Sequence, residues 1–204
     1  MYKYPVIVFE GIETSGKSTN INKVSKYLSK INRKFIKIRE PGGSIYSEII
    51  RKLILNKKSK LNFKTDLMLI MASRSENIDK ILKKNFGKKI ILIDRFVDST
   101  IAYQHYGMGI QKNLINKLNN FILGSFKPTF TFTNLVNKKN MKIRFNKRNS
   151  LNKYDKFNYS FYKKVQKGFL KLSKRKKNYL IIDSNNDIEE NYQIIIKMVK
   201  RLIS

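Results

Sequence analysis

The chain has 204 residues, a length typical of one domain, and 41% of them are hydrophobic, enough for a core. Its 44 Lys and Arg against 14 Asp and Glu give a formal charge of +30. The lack of cysteine excludes disulfides, thiolate metal sites and a cysteine nucleophile, and the single histidine excludes a multi-histidine metal site. No apolar run approaches the roughly 18 residues of a membrane helix, and the first one is too short for a secretion signal. We therefore expect a soluble, cytoplasmic protein.

The positive charge has two explanations. A nucleic-acid surface is one, because basic patches attract phosphate backbones. The other is compositional bias, since the chain has 35 Lys, 22 Asn and 28 Ile, all with A/T-rich codons, but only 9 Arg. Arginine is the residue suited to paired contacts with bases and phosphates, and the basic residues are spread along the chain. These facts favour compositional bias, and the few acids and arginines become the better places to look for chemistry.

Short apolar runs alternate along the chain with segments of helical periodicity. The runs predict strands over Pro5–Phe9, Phe35–Ile38, Lys89–Ile93, Phe130–Thr133 and Tyr179–Ile182. Apolar residues spaced by three and four predict helices over Lys17–Ile31, Leu67–Leu82, Leu114–Leu123 and Ile188–Leu202, with a further core-facing helical stripe from Phe157 to Leu172. Continuous apolar strands are typical of parallel sheets covered on both faces, so the alternation predicts an α/β fold.

The segment after the first predicted strand fits the phosphate-binding pattern G-x-x-x-x-G-K-[ST]. Glycines let the backbone wrap closely around phosphate oxygens, and the following helix N-terminus adds its positive end. Lys17 would reach the β and γ phosphates, and Ser18 would bind Mg²⁺. The predicted ATP-binding residues are Gly11, Ile12, Glu13, Thr14, Ser15, Gly16, Lys17, Ser18 and Thr19.

The pattern alone is shared by GTPases, ATP-driven motors and small-molecule kinases, and the length of the chain favours a kinase. Charged residues also follow the next two strands: Arg39 ends the second, and Asp94 and Arg95 follow the third. Open α/β sheets bind ligands at this edge, and the planar fork of arginine suits a monophosphate. Asp94 is placed as an acid that would hold Mg²⁺ directly or through water.

Four segments together resemble the thymidylate kinase family, and they do so in order and spacing from about residue 4 to the C-terminus. They are Phe9–Glu13, Arg39–Gly43, Met71–Arg74 and Asp94–Gln104. The resemblance implies ATP-dependent phosphorylation of dTMP to dTDP with Mg²⁺. It also implies a single three-layer P-loop kinase domain over 1–204, with a parallel, about five-stranded sheet flanked by helices, and a homodimer.

The resemblance also implies roles for residues of the acceptor site. Arg39 and Arg95 would hold or flank the dTMP phosphate, and Arg74 would hydrogen-bond thymine. The deoxynucleoside pocket would be lined by Ile70, Thr100, Tyr103 and Gln104, with the tyrosine crowding out a 2′-hydroxyl. Pro41 is expected to follow a cis peptide bond.

Catalysis is assigned to Glu13, Lys17, Arg95 and a lid arginine. Because Glu13 is not followed by arginine, the chain is similar to the bacterial type, whose catalytic arginine comes from a mobile lid. The basic stretch at about 140–156 is the expected lid, an exposed excursion. Arg148 is the best match to the lid arginine and Arg144 the second.

The chain departs from the family pattern at several positions. Ile70 replaces a thymine-stacking phenylalanine, Asn134 replaces a strand-end acid, and the lid's D-R-x-E reads Asn152-Lys153-Tyr154-Asp155. The loss of the aromatic ring keeps open a kinase for another deoxynucleoside monophosphate or for a deoxynucleoside. A P-loop protein that binds nucleotide or nucleic acid without catalysis is the alternative from another class.

Overall fold

The computed structural model describes residues 2–148, 151–174 and 176–203, and its centre is a parallel sheet. The strands run in the spatial order β2-β3-β1-β4-β5, and every neighbouring pair is parallel. Their bounds are β1 (Val6–Gly11), β2 (Phe35–Arg39), β3 (Ile90–Asp94), β4 (Phe130–Leu135) and β5 (Tyr179–Asp183). All five predicted strands are therefore present, and the predicted α/β class with a five-stranded parallel sheet is confirmed.

Helices connect the strands and cover the sheet. They are α1 (Lys17–Lys30), α2 (Ile45–Leu55), α3 (Phe63–Asn77), α4 (Lys83–Asn85), α5 (Val97–Thr100), α6 (Lys112–Leu123), α7 (Lys138–Asn146), α8 (Tyr159–Ser173) and α9 (Ile188–Ile203). The π-helical segments Ile78–Leu82 and Ile101–Gly107 continue α3 and α5, and a 3₁₀ turn, Lys153–Lys156, precedes α8. Among the described residues, no helix combines the length and the apolarity needed to cross a membrane.

Two of the longer helices, α2 and α7, were not predicted from the sequence. Helix α2 buries only Ser47 and Ile54, so its apolar residues do not mark a core-facing stripe. Helix α7 lies in the segment expected to be an exposed excursion, yet Asn137 caps its first turn and Met141 is buried. Most of α7 is exposed or partly exposed, as expected of this segment, but its helical structure was not predicted.

Strand β1 shows why the strands read as continuous apolar runs. Its side chains alternate between two faces, and both faces are covered. Ile7 and Phe9 belong to one buried cluster with α1 and α9, whereas Val6 and Val8 belong to the cluster on the other side. Each such fully buried side chain contributes about 1.5–3 kcal/mol through the hydrophobic effect. The most buried strand thus carries the phosphate-binding loop at its end.

The sheet brings the charged strand ends together at one edge. In register, Phe9 of β1 and Arg39 of β2 both lie opposite Asp94 of β3, and Gly11 lies opposite Asn134 of β4. The loop after β1 therefore leaves the sheet between β3 and β4, where open α/β sheets form their ligand crevice.

Candidate active site

A cavity of about 530 Å³ opens at this edge of the sheet. The phosphate-binding loop, the residues after β3, helix α3 and the region around the 3₁₀ turn all contribute to its walls. Most of the predicted site residues line it, namely Glu13, Thr14, Gly16, Lys17, Ser18, Thr19, Ile70, Arg74, Asp94, Arg95, Thr100, Tyr103, Gln104 and Arg148. Gly11, Ile12 and Ser15 are buried outside this lining, and Arg39 does not contribute to it.

The phosphate-binding loop depends on glycine geometry. Gly11 has a φ of 139°, and a Cβ there would lie 2.4 Å from the Asn134 carbonyl oxygen, so no side chain fits. Gly16, with a φ of 87°, begins α1. The Lys17 ammonium is buried and donates to the Ile12 carbonyl oxygen at 2.7 Å. Burial, reinforced by Arg95, lowers the pKa of Lys17 to about 8.

Arg95 crosses the floor of the cavity beside this loop. Its φ is 67°, the left-handed region that costs a non-glycine residue on the order of 1 kcal/mol. The guanidinium donates to the Gly11 carbonyl oxygen at 2.8 Å and to a Glu13 carboxylate oxygen at 2.9 Å. The Tyr103 hydroxyl donates to the other oxygen of Glu13. Burial favours the neutral acid, but Arg95 and Lys17 outweigh it and hold the pKa of Glu13 below its ordinary value.

Glu10 secures the chain that follows Arg95, a role the sequence analysis did not assign. Its buried carboxylate accepts from the Phe96 N–H at 2.8 Å, from the Ser99 N–H at 3.2 Å and from the Ser99 hydroxyl. Burial, with a further contribution from Asp98, raises the pKa of Glu10 to about 7. The only sequence signal was an acid inside an apolar strand of a lysine-rich chain.

Ser18 and Asp94 fit a divalent cation site. The Ser18 hydroxyl donates to one Asp94 oxygen at 3.1 Å, and the other Asp94 oxygen is buried without a hydrogen-bond partner. Such an acceptor is expected to meet a ligand. The part of the chain that the structure describes holds no cluster of three His, Cys, Asp or Glu suited to a metal. The Ser18 and Asp94 oxygens are the kind of donor set that Mg²⁺ uses, since Mg²⁺ is usually held by one or two protein oxygens together with substrate phosphates and water.

Arg74 lies at the far end of the cavity and is fixed by three side chains. Only 1% of it is exposed. It donates to Glu40 at 2.7 Å, to the Asn119 side-chain oxygen at 2.6 Å and to the Thr100 hydroxyl at 3.0 Å. Burial raises the pKa of Glu40 despite the opposing effect of Arg74. The peptide bond between Glu40 and Pro41 is cis, as the resemblance predicted.

Two arginines beside the second strand differ from expectation. Arg39, predicted to hold the acceptor phosphate, is turned to solvent: its side chain is 56% exposed and pairs with Glu48 at 3.3 Å. Arg51 of α2 lines the cavity instead and donates to the Pro41 carbonyl oxygen. Burial, with repulsion from Arg39, lowers the pKa of Arg51 to about 10. The structure therefore does not bring Arg39 into the site, and sequence reasoning missed Arg51 because it missed α2.

The comparisons with known proteins agree with this geometry. The family model described as Thymidylate kinase matches residues 9–195. The chain belongs to the thymidylate kinase family. The thymidylate kinase of Thermosipho africanus is 35% identical over 196 residues, covering 96% of this chain and 97% of that one. That of Mycoplasma capricolum is 37% identical over 200 residues, covering 95% and 93%. The crystal structure of thymidylate kinase from Ehrlichia chaffeensis has a TM-score of 0.78 and 33% identity, covering 97% and 98%.

Family membership gives the reaction, the phosphorylation of dTMP to dTDP, and confirms the resemblance inferred from the sequence. Nothing in the comparisons favours the two alternative functions.

The segment predicted to be the lid is partly buried and makes contacts on both sides of the cavity. Asn149 and Ser150 lie outside the described residues. In the turn after them, Tyr154 is 7% exposed and the Asp155 side chain is fully covered, whereas Lys156 is exposed. Arg148 pairs with Asp155 at 2.6 Å. Arg144 donates to the Thr14 and Ser184 carbonyl oxygens, at 3.1 and 2.6 Å, and so joins the phosphate-binding loop to the end of β5.

Proposed function

We propose that ATP binds with its phosphates along the loop of residues 11–19 and that dTMP enters between Arg95 and α3. The observation that supports this is that one cavity is lined both by Lys17 of this loop and by Arg95 after β3. Transfer joins an oxygen of the dTMP phosphate to the γ-phosphorus of ATP and breaks its bond to the bridging β–γ oxygen. Both reactants are polyanions, so positioning and charge neutralisation supply most of the catalysis.

We assign the donor side to Lys17, Ser18 and Asp94. Lys17 would exchange its bond to the Ile12 carbonyl for the β and γ phosphate oxygens, because an ionised acceptor is stronger than a carbonyl. Ser18 and Asp94 would hold Mg²⁺, directly or through water. The cation supplies charge neutralisation on the phosphates when it is bound.

We assign the acceptor side to Arg95, Arg51 and the pocket around Arg74. Arg95 and Arg51 would hold the dTMP phosphate. Gln104, whose side-chain oxygen is buried without a partner, and Thr100, whose hydroxyl accepts from Arg74, both line the cavity, and together they suit the polar edge of a base. Tyr103, fixed by Glu13, would crowd a 2′-hydroxyl.

We assign the lid to residues 140–156, with Arg148 as the arginine that approaches the γ-phosphate. Arg148 lines the cavity, and its guanidinium pairs with Asp155, beside the nucleoside pocket. Arg144 bonds two carbonyl oxygens next to the phosphate-binding loop and is the second candidate. An arginine in either position would stabilise charge in the transition state and exclude water.

A substrate panel tests the assignment. The purified chain is assayed with ATP, Mg²⁺ and each of dTMP, dUMP, dGMP, CMP, AMP and thymidine in a coupled assay for ADP. We expect dTMP to have the highest kcat/KM. Faster turnover of another acceptor, or no turnover with any, would contradict it. Binding of DNA or RNA that weakens steeply with salt, without transfer, would support the non-catalytic alternative.

We also propose a cytoplasmic homodimer. Helix α2 exposes an apolar face in which Ile45, Ile49 and Leu53 recur every four residues. Neighbouring α3 adds Phe63 and Met68. A second copy of the same face is the self-complementary partner expected for a two-fold dimer. Light scattering should give twice the chain mass, and Ile49→Glu should give the monomer; a monomeric wild-type protein would contradict the proposal.

A further inference from the structure

The acceptor pocket lacks an aromatic side chain on α3 but gains one from the lid. Ile70, on α3, stands where the family pattern has phenylalanine, and it lines the cavity. Tyr154, from the 3₁₀ turn of the lid, lines the same cavity and is nine-tenths buried. The two side chains belong to one apolar cluster that also contains Tyr103 and Phe161. An aromatic ring therefore borders the pocket from a different element.

Tyr154 contacts the residues assigned to the nucleoside. Its ring meets that of Tyr103 edge to face, with 5.7 Å between centroids and 79° between planes. Its hydroxyl lies 3.5 Å from the Gln104 side-chain nitrogen, while the Gln104 oxygen is buried without a partner. Burial raises the pKa of Tyr154 well above its ordinary value, which keeps this hydroxyl neutral. The side chain is thus positioned by two residues of the acceptor pocket.

An ion pair attaches the 3₁₀ turn to α3, the helix that carries Ile70 at the family's phenylalanine position. The Lys153 ammonium lies 2.7 and 3.0 Å from the two oxygens of Asp66, whose side chain is fully buried. It also donates to the Leu61 carbonyl oxygen at 3.0 Å. Asp66 is one helical turn before Ile70 on α3, so this pair sets the position of Tyr154 relative to Ile70. Separating the two groups would leave the buried Asp66 carboxylate without a compensating charge. Because that costs free energy, the ion pair holds the turn against α3.

We propose that Tyr154 is a specificity-determining residue of the acceptor pocket, supplying from the lid the aromatic wall that Ile70 does not provide, with Lys153 and Asp66 as its positioning pair. The proposal rests on the assignment of the acceptor pocket made above. It implies that the wall facing the base is complete only while the turn is seated on α3. Asp155, the next residue, pairs with Arg148, so the same turn joins the base pocket to the lid arginine.

The test exchanges the aromatic residue between the two elements. Tyr154→Leu should raise the KM for dTMP about tenfold, as expected for the loss of one base–aromatic contact, with the KM for ATP unchanged. Tyr154→Phe keeps the ring and should keep the KM for dTMP near that of the wild type. The double variant Ile70→Phe/Tyr154→Leu returns an aromatic side chain to α3 at similar total volume and should restore most of the affinity.

Phe157→Leu is the matched control. Its ring contacts those of Tyr154 and Phe161, at 6.0 and 3.9 Å between centroids, but it does not line the cavity. It should leave the KM for dTMP unchanged. An unchanged KM in Tyr154→Leu, an equal rise in Phe157→Leu, or no restoration in a folded double variant would overturn the proposal. If the wild-type protein phosphorylates dTMP in the substrate panel but the variants give any of these contradicting results, the proposed function stands and only the role of Tyr154 is rejected.

Discussion

The two ends of the cavity hold their cations in different ways. At the phosphate end, Lys17 and Arg51 donate to backbone carbonyl oxygens, and among the described residues neither forms an ion pair with a carboxylate. At the nucleoside end, Arg74 is paired with Glu40 and fully occupied by two further side chains. A carbonyl dipole holds a cation in place but leaves its charge available to an anion. An ion pair removes the net charge and leaves a rigid, neutral group for a neutral base.

Arg95 stands between these cases. One of its nitrogens donates to the Gly11 carbonyl and another pairs with Glu13. The Glu13 carboxylate aligns the Arg95 guanidinium. The Gly11 carbonyl carries no net charge, so part of the positive charge of Arg95 stays available to a phosphate. The contrast predicts that substitutions at the phosphate end reduce catalysis and that substitutions at the nucleoside end reduce stability.

The largest effect is expected at Lys17. Lys17→Ala removes the cation that we assign to the transferred phosphate, and kcat should fall about 10³-fold or more, with the fold retained. Lys23→Ala, on the same helix but with its ammonium paired to Glu189 at the surface, is the control and should keep normal turnover. Activity of Lys17→Ala within tenfold of the wild type would reject the assignment of the loop.

The second effect is on stability and compares Arg74 with Arg39. Arg74→Ala leaves Glu40 buried and unpaired, so the free energy of unfolding should fall by about 3–5 kcal/mol at pH 7.5. Arg39→Ala removes an exposed ion pair and should cost less than about 1 kcal/mol. Because the pKa of Glu40 is raised, the loss in Arg74→Ala should shrink as the pH falls and Glu40 takes up a proton. Urea unfolding at pH 7.5 and pH 5 measures both; equal losses in the two variants would refute the contrast.

The third effect separates Arg51 from Arg39 in binding. Arg51→Ala removes a charge-assisted contact to the dTMP phosphate and should raise the KM for dTMP about 10- to 100-fold. Arg39→Ala should leave that KM unchanged, since its side chain does not line the cavity. Steady-state kinetics with varied dTMP at saturating ATP checks this. A larger rise in Arg39→Ala than in Arg51→Ala would reinstate the prediction from the sequence.

The smallest effect is a pH dependence at the donor site. The pKa of Lys17 is about 8 in the free protein, below its ordinary value, so the protonated fraction falls as the pH rises through 8. The kcat/KM for ATP should therefore decline above pH 8, approaching about tenfold per pH unit, because this ratio reports the ionisation of the free enzyme. A profile that stays flat to pH 9.5 would show that the Lys17 charge does not limit ATP capture.

The sequence by itself determined the features that depend on neighbouring residues: the strands, the phosphate-binding loop and the cis peptide bond. The continuous apolar runs predicted all five strands, because strands covered on both faces need apolar residues at every position. The glycine and lysine spacing predicted the phosphate-binding loop, since backbone conformation and helix start are set by neighbours in the chain. The segment containing Arg39 to Gly43 predicted the cis bond before Pro41 by resemblance.

Only the tertiary structure decided which side chains face the cavity. The sequence singled out Arg39 and not Arg51, but Arg39 turns to solvent and Arg51 lines the site, because the placement of α2 is set by packing and not by an apolar stripe. The partners of Glu10 lie more than eighty positions away along the chain, so no local pattern predicts them. Tyr154 likewise lines the cavity next to α3, and its neighbour Lys153 meets Asp66 of that helix across the fold. Contacts between distant segments depend on how the layers pack, and that information is not contained in any short stretch of sequence.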